Sequence, residues 1–205
     1  MTIKDQPIRS LLASWRALTA LGIAGALLAL AVSFLQPLQY SSTVRLLITQ
    51  PGSISVDAFT VLKSNERIAQ NLSQLLRTST FFENIIARAP GVNADYFPNT
   101  EYDRRRAWNQ AISTSVEAGS GLMTVTVYHP DVSQAHGLVI AASNEIAKQA
   151  PNYFGSAIRV QVIDSPLDSR WYARPNFVNN AIYGLFTGIM LGILWSLLRK
   201  PERSE

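Results

Sequence analysis

Two apolar runs near the ends of this 205-residue chain constrain its architecture more than anything between them. Ala17 to Leu35 and Phe177 to Leu198, the latter densest from Ala181 onward, are each long enough to cross a hydrocarbon core of about 30 Å at a rise of about 1.5 Å per residue. Two such runs in a short chain predict a hairpin of transmembrane helices. The formal charge of +4 is distributed accordingly. Lys4, Arg9, Arg16, Arg199, Lys200 and Arg203 face only Asp5, Glu202 and Glu205 at the two ends, and basic residues beside a span are retained on the cytoplasmic side. The expected order is a cytoplasmic tail 1–16, a first span 17–35, an extracytoplasmic segment 36–176, a second span 177–198 and a cytoplasmic tail 199–205. The basicity reads as a topology signal, which removes the support for a nucleic-acid surface. A rival reading makes the first run a cleaved signal peptide, with Ala29-Leu30-Ala31 as the cleavage site. The run of about 19 residues is longer than the usual signal core.

Both runs carry small residues at helical intervals. Gly184, Gly188 and Gly192 recur every fourth residue and fall near one face of a helix, where another backbone can approach closely. Gly22 and Gly25, with Ala26 and Ala29, supply a matching face on the first run. The tail ahead of it has an amphipathic start, with Ile8, Leu11, Leu12 and Trp15 at helical spacing.

The segment between has no cysteine, so it must be held by burial or association rather than by disulfides. Tyr40 to Thr49 alternates as a strand, followed by a turn at Pro51-Gly52-Ser53. Asp57 to Arg77 has the three- and four-residue apolar steps of an amphipathic helix, interrupted by Asn65. Thr80-Phe81-Phe82-Glu83 has the form of a capping box for a second helix ending before Pro90-Gly91. Thr100 is positioned to cap a third helix over Glu101 to Ile112, with acids in its first turn. Glu117 to Gly121 is a glycine turn, and Leu122 to Tyr128 a strand. Asp131 starts a helix running to about Gln149, before Pro151, and Ile158 to Asp164 is the last strand. A linker over 165–176, holding Pro166, Trp171, Tyr172 and Pro175, then leads into the second apolar run. Strands interspersed with helices predict an α+β fold, an α/β-like layer with one covered face, set just above the membrane.

Signs of chemistry are sparse. Arg104, Arg105 and Arg106 beside Trp108 form the densest charge feature, suited to a subunit contact or an anionic or sugar ligand. A solvated helix face partly neutralised by Glu101 and Asp103 is the alternative. His129 and His136 lack metal-ligand spacing and read as an exposed loop histidine and a helix-surface histidine. Gly119-Ser120-Gly121 lacks the flanks of a nucleophile elbow or a phosphate loop, and Asp164 and Asp168 read as surface charge. No catalytic set, metal site or cofactor motif emerges, and the chain reads as a non-enzyme.

Taken together, the pieces resemble the polysaccharide co-polymerases of the chain-length-determinant family. The resemblance rests on the first span followed by Pro37-Leu38-Gln39-Tyr40-Ser41-Ser42-Thr43 and an apolar strand. It continues through the helix holding Leu62-Lys63-Ser64-Asn65-Glu66-Arg67-Ile68-Ala69 with Phe81 and Phe82 downstream, then Tyr128-His129-Pro130-Asp131 with Ala135 and Ala141 to Ile146, and a Pro-containing linker before a glycine-rich second span. The linker departs from the family in having only Pro166 and Pro175, and the long helical arm of larger members is absent or reduced to the helix around Arg104 to Trp108. The resemblance implies a ring-like homo-oligomer in the bacterial cytoplasmic (inner) membrane, with both termini cytoplasmic. It would regulate the chain length of an O-antigen, capsule or exopolysaccharide, with a membrane polymerase and a lipid-linked glycan as partners. In related capsule systems such proteins also activate a cytoplasmic tyrosine kinase, and any such kinase would here be a separate chain. A membrane-anchored sensor or transporter accessory subunit is the alternative that the same two-span layout allows.

Overall fold

The computed structural model describes residues 15–50, 57–89 and 91–198. The readings made on the tail ahead of Trp15, on Pro51-Gly52-Ser53, on Pro90 and on Arg199, Lys200 and Arg203 lie outside those residues. The chain divides into two compact units at Pro37/Leu38 and Ala173/Arg174.

The first unit is a pair of helices, α1 (Trp15–Phe34) and α6 (Phe177–Leu198). Neither contains an acid, and each is long and apolar enough to cross a membrane. Most of their large apolar side chains, such as Leu28, Phe34, Tyr183 and Met190, are exposed. In water such surface would be costly, since burial stabilises by about 25 cal/mol per Å² of apolar area. In a bilayer it is not, so the pair is compatible with a two-pass membrane protein. Asn176 starts α6 by accepting the Asn179 backbone N–H on Oδ1 at 3.0 Å.

The second unit is a mixed α+β layer. Its chain order is β1 (Tyr40–Thr49), α2 (Ala58–Leu75), α3 (Ser79–Ala87), a 3-10 turn (Ala94–Tyr96), α4 (Glu101–Ala111), β2 (Ile112–Val116), β3 (Leu122–His129), α5 (Val132–Phe154) and β4 (Arg159–Asp168). The strands form one four-stranded sheet in the order β2-β3-β1-β4, antiparallel throughout. Alternation decides the faces. Val44, Leu46 and Ile48 of β1 and Met123, Val125 and Val127 of β3 are buried in the core, whereas Arg45 and the Thr43–Thr126 hydroxyl pair at 2.9 Å stand on the opposite side. Helices α2 and α5 pack on this sheet. Leu72 of α2 and Leu76, which caps that helix, complete the core with Phe81, Phe82, Ile85, Phe97, Trp108, Leu138 and Ile146.

Several boundaries differ from the sequence reading, each for a local reason. Ile112 does not end α4 but opens β2, which pairs with β3 from Ile112↔Val127 to Val116↔Met123. Of its inward residues Ile112, Thr114 and Val116, the middle one is polar and bonds the Ser73 hydroxyl at 2.7 Å, so the alternation is too faint to read from sequence. The cap of α3 is Thr78 rather than Thr80. Its Oγ1 accepts from the Phe81 N–H at 3.5 Å and donates to the Leu75 carbonyl at 2.7 Å, so one hydroxyl joins the end of α2 to the start of α3. Thr100 sits at the cap position of α4, but its side chain makes no capping bond. Helix α5 passes through Pro151 to Phe154. The last turn survives because the Gly155 N–H reaches the Pro151 carbonyl at 2.9 Å and Phe154 packs against the core.

The reading of a linker from 165 is also corrected. Ser165 to Asp168 belong to β4, whose ladder with β1 continues through two register shifts to Ser42↔Asp168. Pro166 is tolerated there because β4 is an edge strand and its missing N–H removes no ladder bond on a second side. Pro175 follows a cis bond from Arg174.

Candidate functional site

The first candidate is the contact between α1 and α6, which are antiparallel. Leu18 meets Gly192, Gly22 meets Ile189, Gly25 meets Gly184 and Gly188, and Ala29 meets Gly184. Gly22, Gly184, Gly188 and Gly192 are buried although no other part of either helix is, save Ser33. The glycines are not equivalent. A Cβ on Gly25 would strike the Gly184 carbonyl oxygen, and one on Gly188 the Leu21 carbonyl oxygen, and backbone cannot yield. A Cβ on Gly22 or Gly192 would meet instead the side chains of Ile189 and Leu18, at 2.9 Å in each case, and a side chain can turn away. The close approach is therefore centred on Gly25, Gly184 and Gly188.

Toward the Phe34 end the contact becomes polar. Asn180 Nδ2 donates to Ser33 Oγ at 2.7 Å, Ser33 Oγ donates to the Ala29 carbonyl at 2.8 Å, and the Phe34 and Phe177 rings meet at 5.0 Å between centroids. Ser33 and Asn180 escaped the sequence reading, although a polar pair inside two apolar runs was a usable signal. Beside the contact lies an open groove of about 470 Å³, bordered by Leu28, Val32, Asn180, Tyr183 and Leu191.

The second candidate is the arginine run on α4, which the structure separates from Trp108. Trp108 is fully buried, its ring 5.2 Å from Phe82 and its Nε1–H donated to the Leu76 carbonyl at 2.8 Å. It belongs to the core and not to a binding surface. Arg104, four residues earlier, shares its side of the helix and is partly covered: its Nη2 lies 3.0 Å from Glu83 Oε1 and its guanidinium 5.9 Å from the Phe82 ring centre. Arg105 and Arg106 are rotated away and exposed. The run is thus one docked arginine and two solvent-facing ones. A cleft of about 280 Å³ lies against Arg104, bordered by Glu83, Asp95, Phe97 and Asn99.

Of the histidines and acids, His136, Asp164 and Asp168 lie at the surface as read, and His129 does not. His129 is no exposed loop residue but ends β3 with 6% exposure, its Nδ1 accepting the Asp131 N–H at 3.0 Å and its ring 4.2 Å from that of Tyr96. Asp168 meets His136 at 3.0 Å, and Asp164 lies 3.7 Å from Arg45. Among the described residues no group of three or more histidines or acids is gathered as for a metal ion. The Gly119 turn is pinned by Glu66, whose Oε2 accepts the Gly119 N–H at 3.1 Å and pairs with Lys63 at 2.8 Å. Those contacts, Lys63 first, hold the Glu66 carboxyl below its ordinary value. Glu145, buried on α5, pairs with Arg88 at 2.6 Å and ties α5 to the end of α3.

Burial pushes the His129 pKa down, against a smaller opposing effect of its Asp131 neighbours. The folded state then holds this imidazole neutral, while the unfolded chain takes up a proton below about pH 6.5. Stability from this residue is full above that value and falls as the pH drops toward the lower folded value. The urea midpoint should therefore decline as the pH falls below about 6.5, and His129→Gln should remove part of that decline. An identical decline in the variant would assign the acid sensitivity elsewhere.

The class that fold and site define is a mixed α+β domain accompanied by two apolar helices packed through glycine, a layout compatible with a two-pass membrane protein. No protein family matches the chain, and no curated protein matches it.

Proposed function

We propose that this chain is a non-enzymatic regulator of polysaccharide length. On this reading it sits as a homo-oligomer in the bacterial cytoplasmic membrane with both termini inside. Its α+β layer lies outside, where it controls how long a membrane polymerase stays engaged with a lipid-linked glycan. The observation that carries the reading is the pairing of α1 with α6 across Gly25, Gly184 and Gly188, with an α+β layer occupying the whole of the chain between them. Such a pair is built to hold a rigid anchor rather than a single tether. The residues quoted for the resemblance to chain-length determinants supply the glycan as the object of that control. The cleft beside Arg104, with Glu83, Asp95 and Asn99 on its rim, offers hydrogen-bonding groups to a sugar.

Deleting the gene should leave polymer synthesis running while the length distribution of the surface glycan broadens or shifts, as read on a polyacrylamide gel of the extracted polysaccharide. Loss of all sugar transfer in membranes lacking this chain alone would point to an enzyme. An unaltered distribution would favour the sensor or transporter role.

A further inference from the structure

Among the described residues the sheet ends in two edge strands, β2 and β4, that run in opposite senses. Because each neighbouring pair is antiparallel, β1 and β2 run one way and β3 and β4 the other. β4 is ten residues long and poorly covered: Val162, Ile163 and Leu167 are 50%, 51% and 75% exposed. An edge strand with exposed aliphatic side chains is a template for another strand, here interrupted at Pro166, which has no N–H to donate, and at the two register shifts. At the far edge, β2 offers five residues.

A copy of the layer set beside β4 with its own β2 foremost would continue the antiparallel alternation. The ladder also fixes their heights. Val116 pairs with Met123, Met123 with Leu46 and Leu46 with Val162, while Ser115 pairs with Thr124, Thr124 with Arg45 and Arg45 with Asp164. The neighbour's β2 thus comes level with Val162 to Asp168 of β4. Val116 falls beside half-exposed Val162. Charge agrees as well: the Glu117 N–H bonds the Leu122 carbonyl, Leu122 pairs with Leu47 and Leu47 with Gln161, which leaves Glu117 two residues along the strand from Arg159. Opposite charges at that diagonal are within reach of long side chains.

We infer that β4 of one copy pairs with β2 of the next, joining copies of this chain edge to edge in a continuous antiparallel sheet. The contact is heterologous, so every copy uses both edges and the assembly closes into a ring or runs on. This rests on the oligomeric reading above and specifies its interface. Pairing of β4 with a second β4 is the rival. It would turn one copy end for end, and the layer's two chain ends, which lie together where the Ala173 N–H meets the Gln39 carbonyl at 2.7 Å, would then point in opposite directions. Two copies anchored in one membrane need those ends on the same side.

The chain has no native cysteine, which makes disulfide mapping in membranes clean. Ser115 and Asp164 are both exposed, and within one copy they sit at opposite edges, three strand spacings or about 14 Å apart, too far for a disulfide. Oxidising the full-length Ser115→Cys/Asp164→Cys variant should give a ladder of dimer, trimer and larger species, while each single variant stays monomeric. Arg159→Glu in that background should weaken the ladder, and adding Glu117→Arg should restore it. Dimer from Asp164→Cys alone would establish the rival pairing and overturn the inference. So would absence of a ladder from a chain that native mass spectrometry shows to be oligomeric, which leaves the functional reading standing. A monomer by native mass spectrometry overturns the inference together with the oligomer on which that reading relies.

Discussion

Leucine at Gly188 is expected to separate α1 from α6 while both helices still insert. Its side chain would have to occupy space held by the Leu21 carbonyl and the Gly22 Cα, and neither can rotate out of the way. Overpacking of this kind costs about 1–3 kcal/mol, which is comparable to the whole gain from packing a polar pair between membrane helices at about 1–2 kcal/mol. The pair should therefore open. Cysteines at Ser33 and Asn180, whose side chains touch at 2.7 Å, supply the readout. They should cross-link in the parent and largely fail to do so with Gly188→Leu, whereas Gly22→Ala, opposed most closely by the Ile189 side chain, should cross-link normally. Equal cross-linking in all three would make the glycine row incidental to the contact. Under the proposed function, the Gly188→Leu strain should also show the altered glycan lengths of the deletion.

Trp108→Ala should be the most damaging single change in the α+β layer. The side chain is fully buried against Phe82 and Phe97, and truncating a buried Trp costs about 3–5 kcal/mol. It also leaves the Leu76 carbonyl without its 2.8 Å partner, a further penalty of about 1–3 kcal/mol where no water replaces it. A domain with a total stability of about 5–15 kcal/mol would lose much of its margin. The expected result is a urea midpoint moved steeply downward in detergent-solubilised full-length protein, with Trp108→Phe intermediate because it keeps most of the packing and loses the hydrogen bond. Replacing both Arg105 and Arg106 by Gln should leave the midpoint nearly unchanged, since both are exposed. A shift with the arginines as large as with Trp108 would contradict the separation of core from surface on α4.

What the amino-acid sequence determines by itself is whatever depends on local period and composition. The two apolar helices, the strand at Tyr40–Thr49, the amphipathic helix from Ala58, the strand from Leu122 and the Asp131 start of α5 are each long or strongly patterned. Their side-chain periods of 3.6 or 2 are written in contiguous residues. The spacing of Gly184, Gly188 and Gly192 likewise follows from the helical period alone. Only the tertiary structure decided what depends on partners distant in the chain. It made a strand of Ile112–Val116, because β3 was there to pair with it, and extended β4 through Pro166 because that strand lies at an edge. It moved Trp108 into the core while leaving Arg105 and Arg106 outside, since rotation about a helix separates residues that are adjacent in sequence. It buried His129, and it distinguished Gly25, Gly184 and Gly188, opposed by backbone, from Gly22 and Gly192, opposed by side chains that can move. A spacing can place a glycine on a face, but the atom that faces it belongs to another helix.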